Sequence, residues 1–199
     1  MGRELKAGPG LALRPLGLRD ARPLFGLVEA NRDRLRRWLP WPDANRTVLD
    51  SRAYILRVQA LARRGAAQAY GLWWKERLVG VAGFVWIDAP NGTAGIGYWL
   101  DAGAEGHGLM TRAVAALVGH GFRDLGLTRI EIRAGVRNRR SQAIPRRLGF
   151  RREGVLRQVE RLADRTVDHA VYGLLAAEWS PDCREAGATP RRGRGAKGA

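Results

Sequence analysis

Cysteine is all but missing from this chain: of 199 residues only Cys183, near the C-terminus, carries a thiol. A lone cysteine makes no internal disulfide and no zinc cluster, so a reducing cytosol is the expected compartment. Lysine is scarce too, with Lys6, Lys75 and Lys197 the only three among 35 basic residues. No stretch approaches the ~18 uninterrupted apolar residues that suggest a membrane span. Met1 to Gly10 lacks the apolar run of a signal peptide, and no membrane partner is expected. No repeat period is visible. The three histidines, His107, His120 and His169, are scattered through the chain, which indicates no metal site. Also missing are a helix-turn-helix signature, zinc spacing and an aromatic RNA-binding motif.

What is present is an ordinary globular balance, 45% apolar and 27% charged, in a length that suits one α/β domain. The formal net charge is +16. The segment Arg184 to Ala199 holds a net +4, so +12 remains on the rest. Such a field favours acidic partners: nucleic acid, a ribosome surface or a polyphosphate.

Leu11 to Leu16 alternates like a first strand, and Arg19 onward reads as a helix with Leu24, Phe25 and Val28 on its apolar face. A second short helical piece, Asn31 to Leu39, ends at Pro40, and a third helix covers roughly Thr47 to Arg64. Gln68 to Trp74 and Leu78 to Ile87 flank the polar turn Lys75-Glu76-Arg77 as a hairpin, and Thr93 to Leu100 is a further strand. After the glycine-rich Gly103 to Gly108 comes an apolar helix to about Leu125, then a central strand over Thr128 to Val136. Asn138 opens a helix that stops before Gly149, and Phe150 to Glu160 pairs with Thr166 to Ala176. The unit from 93 to 136 implies a crossover onto a parallel strand pair inside an otherwise antiparallel, mixed sheet flanked by helices. Residues 1–10 are expected to be flexible, 11–177 to form the domain and 178–199 to be a basic, disordered tail.

Glu105-Gly106-His107-Gly108-Leu109-Met110 lies between a strand and a helix. Free N–H groups and the dipole at a helix start attract anions, and glycines let the backbone approach a phosphate closely. A tight turn that merely begins a helix would read the same on spacing alone. The run GYWLDAGAEGHGLMTRAVAAL resembles the acetyl-CoA loop of the GCN5-related N-acetyltransferase superfamily, usually Gln/Arg-x-x-Gly-x-Gly/Ala. Here Glu105 holds the first place, Gly108 the central glycine and Met110 the last. The Met110 departure resembles the RimJ/RimL-like branch that acetylates ribosomal-protein N-termini. Asn31 to Pro42, Ile96 to Asp101, Val136 to Phe150 and Tyr172 resemble that branch in the same order, over about residues 11–177. The resemblance implies a mixed α/β GNAT domain, acetyl-CoA as donor, and a monomer or homodimer. Amides from about Gly106 to Met110, with Arg112 assisting, would then hold the pyrophosphate, and Thr111 is counted with the cofactor-binding residues.

Amine acetylation by direct attack needs a neutral amine, a stabilised oxyanion and a proton for the leaving thiolate. Tyr98, Trp99 and Leu100 end a strand beside the loop, where their backbone could meet the pantetheine amides and the thioester oxygen; their rings would serve equally as core. Asn138 and Ser141 open the helix after the central strand, where Asn138 is also a good N-cap. The resemblance implies that Asn138 contacts the cofactor and that Ser141 protonates the thiolate. A glutamate matching Glu160 is proposed as general base in the related branch, whereas a simple exposed Glu160 would pair with Arg157 or Arg161. Trp38 and Trp41 would wall a peptide channel or merely pack. The leading reading is an enzyme acting on a protein N-terminus, with ribosome contact through the basic surface. The alternatives are acetylation of a small amine, such as an antibiotic, polyamine or amino-nucleotide, and a basic nucleic-acid-binding module.

Overall fold

A computed structural model describes residues 3–180. Eight strands form one sheet in the order β1-β2-β3-β4-β5-β6-β8-β7. In chain order these are β1 (Leu5–Lys6), β2 (Leu11–Pro15), β3 (Gln68–Trp74), β4 (Arg77–Asp88), β5 (Thr93–Leu100), β6 (Arg129–Gly135), β7 (Arg151–Arg161) and β8 (Thr166–Leu175). Four α-helices accompany them: α1 (Ala21–Leu35), α2 (Val48–Arg63), α3 (Leu109–Asp124) and α4 (Arg139–Arg147). Every neighbouring pair is antiparallel except β5 and β6, which α3 connects as a parallel pair.

The alternation within β6 decides how the sheet is covered. Ile130, Ile132 and Ala134 are buried, and the first two join Ala94 and Ile96 of β5 in the main core beneath α3. Along α3, Leu109, Ala113, Leu117 and Gly121 recur at helical spacing on the buried side. The opposite face carries a smaller cluster of Leu16, Leu24, Ile55 and Val81, with Trp99 packed against it, beneath α1 and α2. α2 starts on a reciprocal cap: Thr47 Oγ1 accepts from the Asp50 amide at 3.3 Å, while the Asp50 carboxylate accepts from the Thr47 amide at 2.8 Å.

Three expectations need correction. Residues 3–10 are not a free arm, because Leu5 and Lys6 pair with Leu13 and Ala12 and both Leu5 and Ala7 are buried. Asn31 does not begin a separate helix. It lies inside α1 on the buried row Leu24, Val28, Asn31 and Leu35, where its polar side chain masks the continuity of the stripe. The folded body also runs past residue 177: Glu178 accepts from the Leu175 amide at 3.1 Å, and Trp179 packs on the main core. The rest of the expected basic tail, Cys183 included, lies outside the described residues.

Candidate active site

β5 and β6 are paired only as far as Ile96 with Ile132. Beyond that point Gly97–Leu100 pairs with β4 alone and Arg133–Gly135 with β8 alone, so the two parallel strands part at their C-terminal ends. The split opens a backbone edge to each face of the sheet, and the side chains expected to be functional gather around it.

On the α3/α4 face, the glycine-rich loop ends at Gly108, the N-cap of α3, with φ 67°; Gly106 has φ 82°. Both are left-handed conformations that disfavour a side chain. A Cβ built at either glycine meets no heavy atom within 4 Å, so the space above the loop is open. Helical bonding starts with the Arg112 amide donating to the Gly108 carbonyl at 3.1 Å, which leaves the amides of Leu109, Met110 and Thr111 free of intrahelical acceptors. Their side chains do different work: Leu109 and Met110 are core. The exposed His107 ring rests on Trp74 at 4.8 Å. The Arg112 guanidinium lies against the β1–β2 turn, with Nη1 donating to the Pro9 carbonyl at 3.3 Å.

Glu105 ought to repel a pyrophosphate, but its carboxylate is turned into a clasp between Arg34 and Arg140. Arg34 also donates to the Leu100 carbonyl and, at 3.1 Å, to Asn31 Oδ1. Asn31, 3% exposed, donates to Asp101 Oδ1 at 2.8 Å and accepts from the Ala102 amide at 2.9 Å. Asn31 and Arg34 thus tie α1 to the loop leaving β5. In the sequence Asn31 stands out only within a resembling segment and Arg34 not at all; the i, i+3 spacing of two polar residues on a helix is the signal that points to them.

Asn138 caps α4, its Oδ1 accepting from the Ser141 amide at 3.1 Å, while its Nδ2 donates to no described residue. Ser141 Oγ donates to the Tyr98 hydroxyl at 3.2 Å, and that hydroxyl donates to the Ser141 carbonyl at 2.9 Å. The Tyr98 ring is therefore more than packing. Burial pushes its phenol above the ordinary range, so it stays protonated; the hydrogen bond from Ser141 opposes that shift only in part.

The other face of the split looks different. A groove of about 290 Å³ is lined by Val85 and Trp86 of β4, Gly95 and Gly97 of β5, Glu131 and Arg133 of β6, Val159 and Glu160 of β7, and His169 of β8. Gly97 has no side chain because Val85 covers it; a Cβ there would stand 2.7 Å from Val85 Cγ1. Glu160 reaches this face through a bulge. Leu156 opposes His169 and Glu160 opposes Val167, so four residues along β7 span two along β8. The surplus is absorbed at Gln158, whose φ of 49° is unusual for a non-glycine residue. Its amide is held by Asp168 Oδ1 at 2.7 Å. Glu160 pairs neither with Arg157 nor with Arg161 but with His169, Oε2 to Nε2 at 3.2 Å.

The two tryptophans of the α1–α2 connection sit on opposite lips of the split. The Trp38 ring is the nearest neighbour of the position a Cβ would take at Gly135, 3.5 Å away, on the β6 side. Trp41 meets Trp99 on the β5 side with ring centroids 5.9 Å apart. Among the described residues no three His, Cys, Asp or Glu side chains form a metal-binding group, and no helix is long and apolar enough to cross a membrane.

The family model described as "Acetyltransferase (GNAT) domain" matches residues 11–151. The chain is 33% identical over 175 residues to the ribosomal-protein-serine acetyltransferase of Escherichia coli K12, covering 88% of this chain and 98% of that protein. Among solved structures it is similar to RimL, a ribosomal L7/L12 alpha-N-protein acetyltransferase in complex with coenzyme A (TM-score 0.84, 30% identity, 87% of this chain and 98% of that one). It is also similar to the microcin C7 self-immunity acetyltransferase MccE in complex with acetyl-CoA and AMP (TM-score 0.82, 30% identity, 85% and 94% covered).

Proposed function

The chain belongs to the GNAT acetyltransferase family and is an N-acetyltransferase, and from that premise we propose that it moves the acetyl group of acetyl-CoA to the N-terminal α-amine of a protein, a ribosomal protein being the expected acceptor. The observation that carries this reading is the two-faced split. A hydroxyl pair, Tyr98 and Ser141, stands on one side, and a carboxylate, Glu160, stands in a groove on the other. Donor and acceptor can then approach one another through the gap, with no enzyme nucleophile between them. Two relatives, the ribosomal-protein-serine acetyltransferase and RimL, bear names that describe ribosomal-protein acetylation, which supports the choice of acceptor.

The chain's residues fit acetyl-CoA. The open space above Gly106 and Gly108, with the amides from Gly106 to Thr111, suits a pyrophosphate, as does the Glu105 carboxylate drawn aside by two arginines. The unpaired edge of Gly97–Leu100 suits the amides of a pantetheine arm, and Asn138 Nδ2 is free to assist. Bound there, the cofactor supplies an activated acyl carbon and a thiolate leaving group. Glu160 accepts the proton of the incoming ammonium, directly or through one water, so that the nitrogen lone pair can form the new C–N bond. As the C–S bond breaks, Ser141 would turn its O–H from Tyr98 toward the sulfur and give that proton to the thiolate, while the second proton of the new C–N nitrogen would return through solvent to the Ser141 oxygen. The Tyr98 hydroxyl, 3.2 Å away and held protonated by burial, then donates to the Ser141 oxygen. An α-amine suits so modest a base. Its pKa of about 7.7–8.0 leaves roughly a tenth of it neutral at pH 7, against fewer than one in about a thousand for lysine. Trp38 and Trp41 flank the path of an extended N-terminus.

A small amine is the second reading. It is favoured by the likeness to MccE, whose bound ligands are acetyl-CoA and AMP. The deciding experiment is acetyl-CoA turnover over peptides with free N-termini, N-blocked peptides containing lysine, and small amines, with mass spectrometry locating the acetyl group. Transfer to free N-termini in preference to lysine and small amines supports the proposal; transfer confined to small amines overturns it.

A further inference from the structure

Four charged or titratable side chains enter the groove: Glu131, Arg133, Glu160 and His169. Glu131 and Arg133 satisfy one another, with Arg133 Nε donating to Glu131 Oε1 at 2.6 Å, and Arg129 adds a second contact to Glu131 at 3.3 Å. Among the described residues Glu160 has no arginine partner. Its contact is His169, and both are sheltered, with side chains 28% and 14% exposed. His169 Nε2 stands 3.2 Å from Glu160 Oε2. In the tautomer that carries its hydrogen on Nε2 the ring is a donor and a carboxylate can only accept, so His169 then holds one oxygen of the carboxylate and leaves the other for the groove.

The backbone around this contact is built with unusual care. His169 stands opposite Leu156 on β7 and Gly135 on β6, where the split ends. Its neighbour Asp168 uses its side chain to hold the left-handed Gln158 amide and its carbonyl to accept from the Val136 amide at 2.9 Å. The bulge thus swings Glu160 beside His169, and the strand carrying His169 also fixes the bulge.

We infer that His169 is a positioning residue for Glu160, orienting its carboxylate toward the acceptor amine. This rests on Glu160 being the proton acceptor. In that tautomer no proton passes between the two, and the proton from the amine stays on Glu160 until solvent removes it. Without the imidazole N–H the Glu160 side chain keeps its charge but gains rotational freedom in a groove wide enough to let it turn.

The test compares His169→Phe, which keeps a ring and removes the donor, with His169→Gln, whose amide N–H stands near the place of Nε2, each alone and combined with Glu160→Gln. Misplacing a reacting group by about an ångström costs on the order of 10²-fold, so His169→Phe should lower kcat by about 10- to 100-fold with acetyl-CoA affinity unchanged. His169→Gln should recover most of that loss. In the Glu160→Gln background, His169→Phe should cost nothing further, because a residue that acts through another has no effect once its target is gone. If the phenylalanine variant does not fold, His169→Asn, whose donor falls short, replaces it against His169→Gln. Normal kcat in His169→Phe, or the same fold-loss with and without Glu160, overturns the inference while leaving a defective Glu160→Gln, and so the base assignment, intact. Normal turnover by Glu160→Gln itself removes the base assignment and the positioning role together.

Discussion

Gly108→Ala separates what the glycine-rich loop does for the fold from what it would do for a bound pyrophosphate. Gly108 sits at φ 67°, and a Cβ there meets nothing within 4 Å. The folded protein therefore bears only the conformational penalty of a left-handed alanine, about 1–2 kcal/mol. For a chain of this size that lowers Tm by roughly 2–8 °C. The methyl group would, however, project into the open space above the α3 amides, where an anion should lie. Hydrogen bonds to a charged group contribute about 1.5–3 kcal/mol each, so losing one weakens acetyl-CoA binding roughly 10- to 150-fold. Gly126→Ala is the matched control: φ is 65°, nothing lies within 4 Å, and it follows the far end of α3, about 24 Å away by helical rise. Both variants should lose similar Tm in thermal melts. Only Gly108→Ala should lose affinity in calorimetry with acetyl-CoA. Equal affinity in the two folded variants would refute this placement of the pyrophosphate.

Tyr98→Phe should lower kcat without changing acetyl-CoA Kd. Because burial holds the Tyr98 phenol above its ordinary range, wild-type kcat should show no loss from this group up to about pH 10; a pH–rate profile and the phenylalanine variant test both points. Glu105→Ala leaves Arg34 and Arg140 facing one another without the carboxylate between them. These side chains are 33% and 83% exposed, so the expected cost is modest, about 1 kcal/mol, and melts at low and high salt should show salt relieving it. In acid, Asp124 is held below its ordinary range chiefly by the His120 hydrogen bond, and Glu153 chiefly by Arg129. Lowered values mean that the unfolded chain takes up protons first. Their stabilisation is complete above the ordinary carboxylate range and is lost as pH falls through the lowered values. Asp124→Asn should flatten the acid decline of Tm, and an unchanged decline would argue against this coupling.

Local chemistry was easy to read in the sequence. Gln68–Trp74 and Thr93–Leu100 were legible to the residue because a polar turn or an Asn-Gly bounds each strand. Ser141 and Asn138 were legible as the opening of α4, a cap being a local event. The failures share a cause, which is contact between residues far apart in the chain. Asn31 broke the apparent apolar stripe of α1 because its partner, Asp101, lies 70 residues away. Tyr98 was credited for its backbone, whereas its hydroxyl bonds to a residue 43 positions on. The partner of Glu160 was hidden most deeply. Simple alternation puts Gln158 opposite Val167, and only the bulge brings Glu160 there instead.

In the proposed reaction Glu160 meets the amine from one side of the split while the thioester lies on the other. The most direct measurement is the single-turnover rate of acetyl transfer at saturating acetyl-CoA, followed against pH, for the wild type and Glu160→Gln on a peptide with a free N-terminus. A general base contributes about 10²–10⁴-fold. With Glu160 as base, the variant should show a defect of that order near neutrality, with acetyl-CoA Kd unchanged, shrinking as rising pH delivers the amine already neutral. A Glu160→Gln enzyme with the wild-type rate at every pH would contradict it.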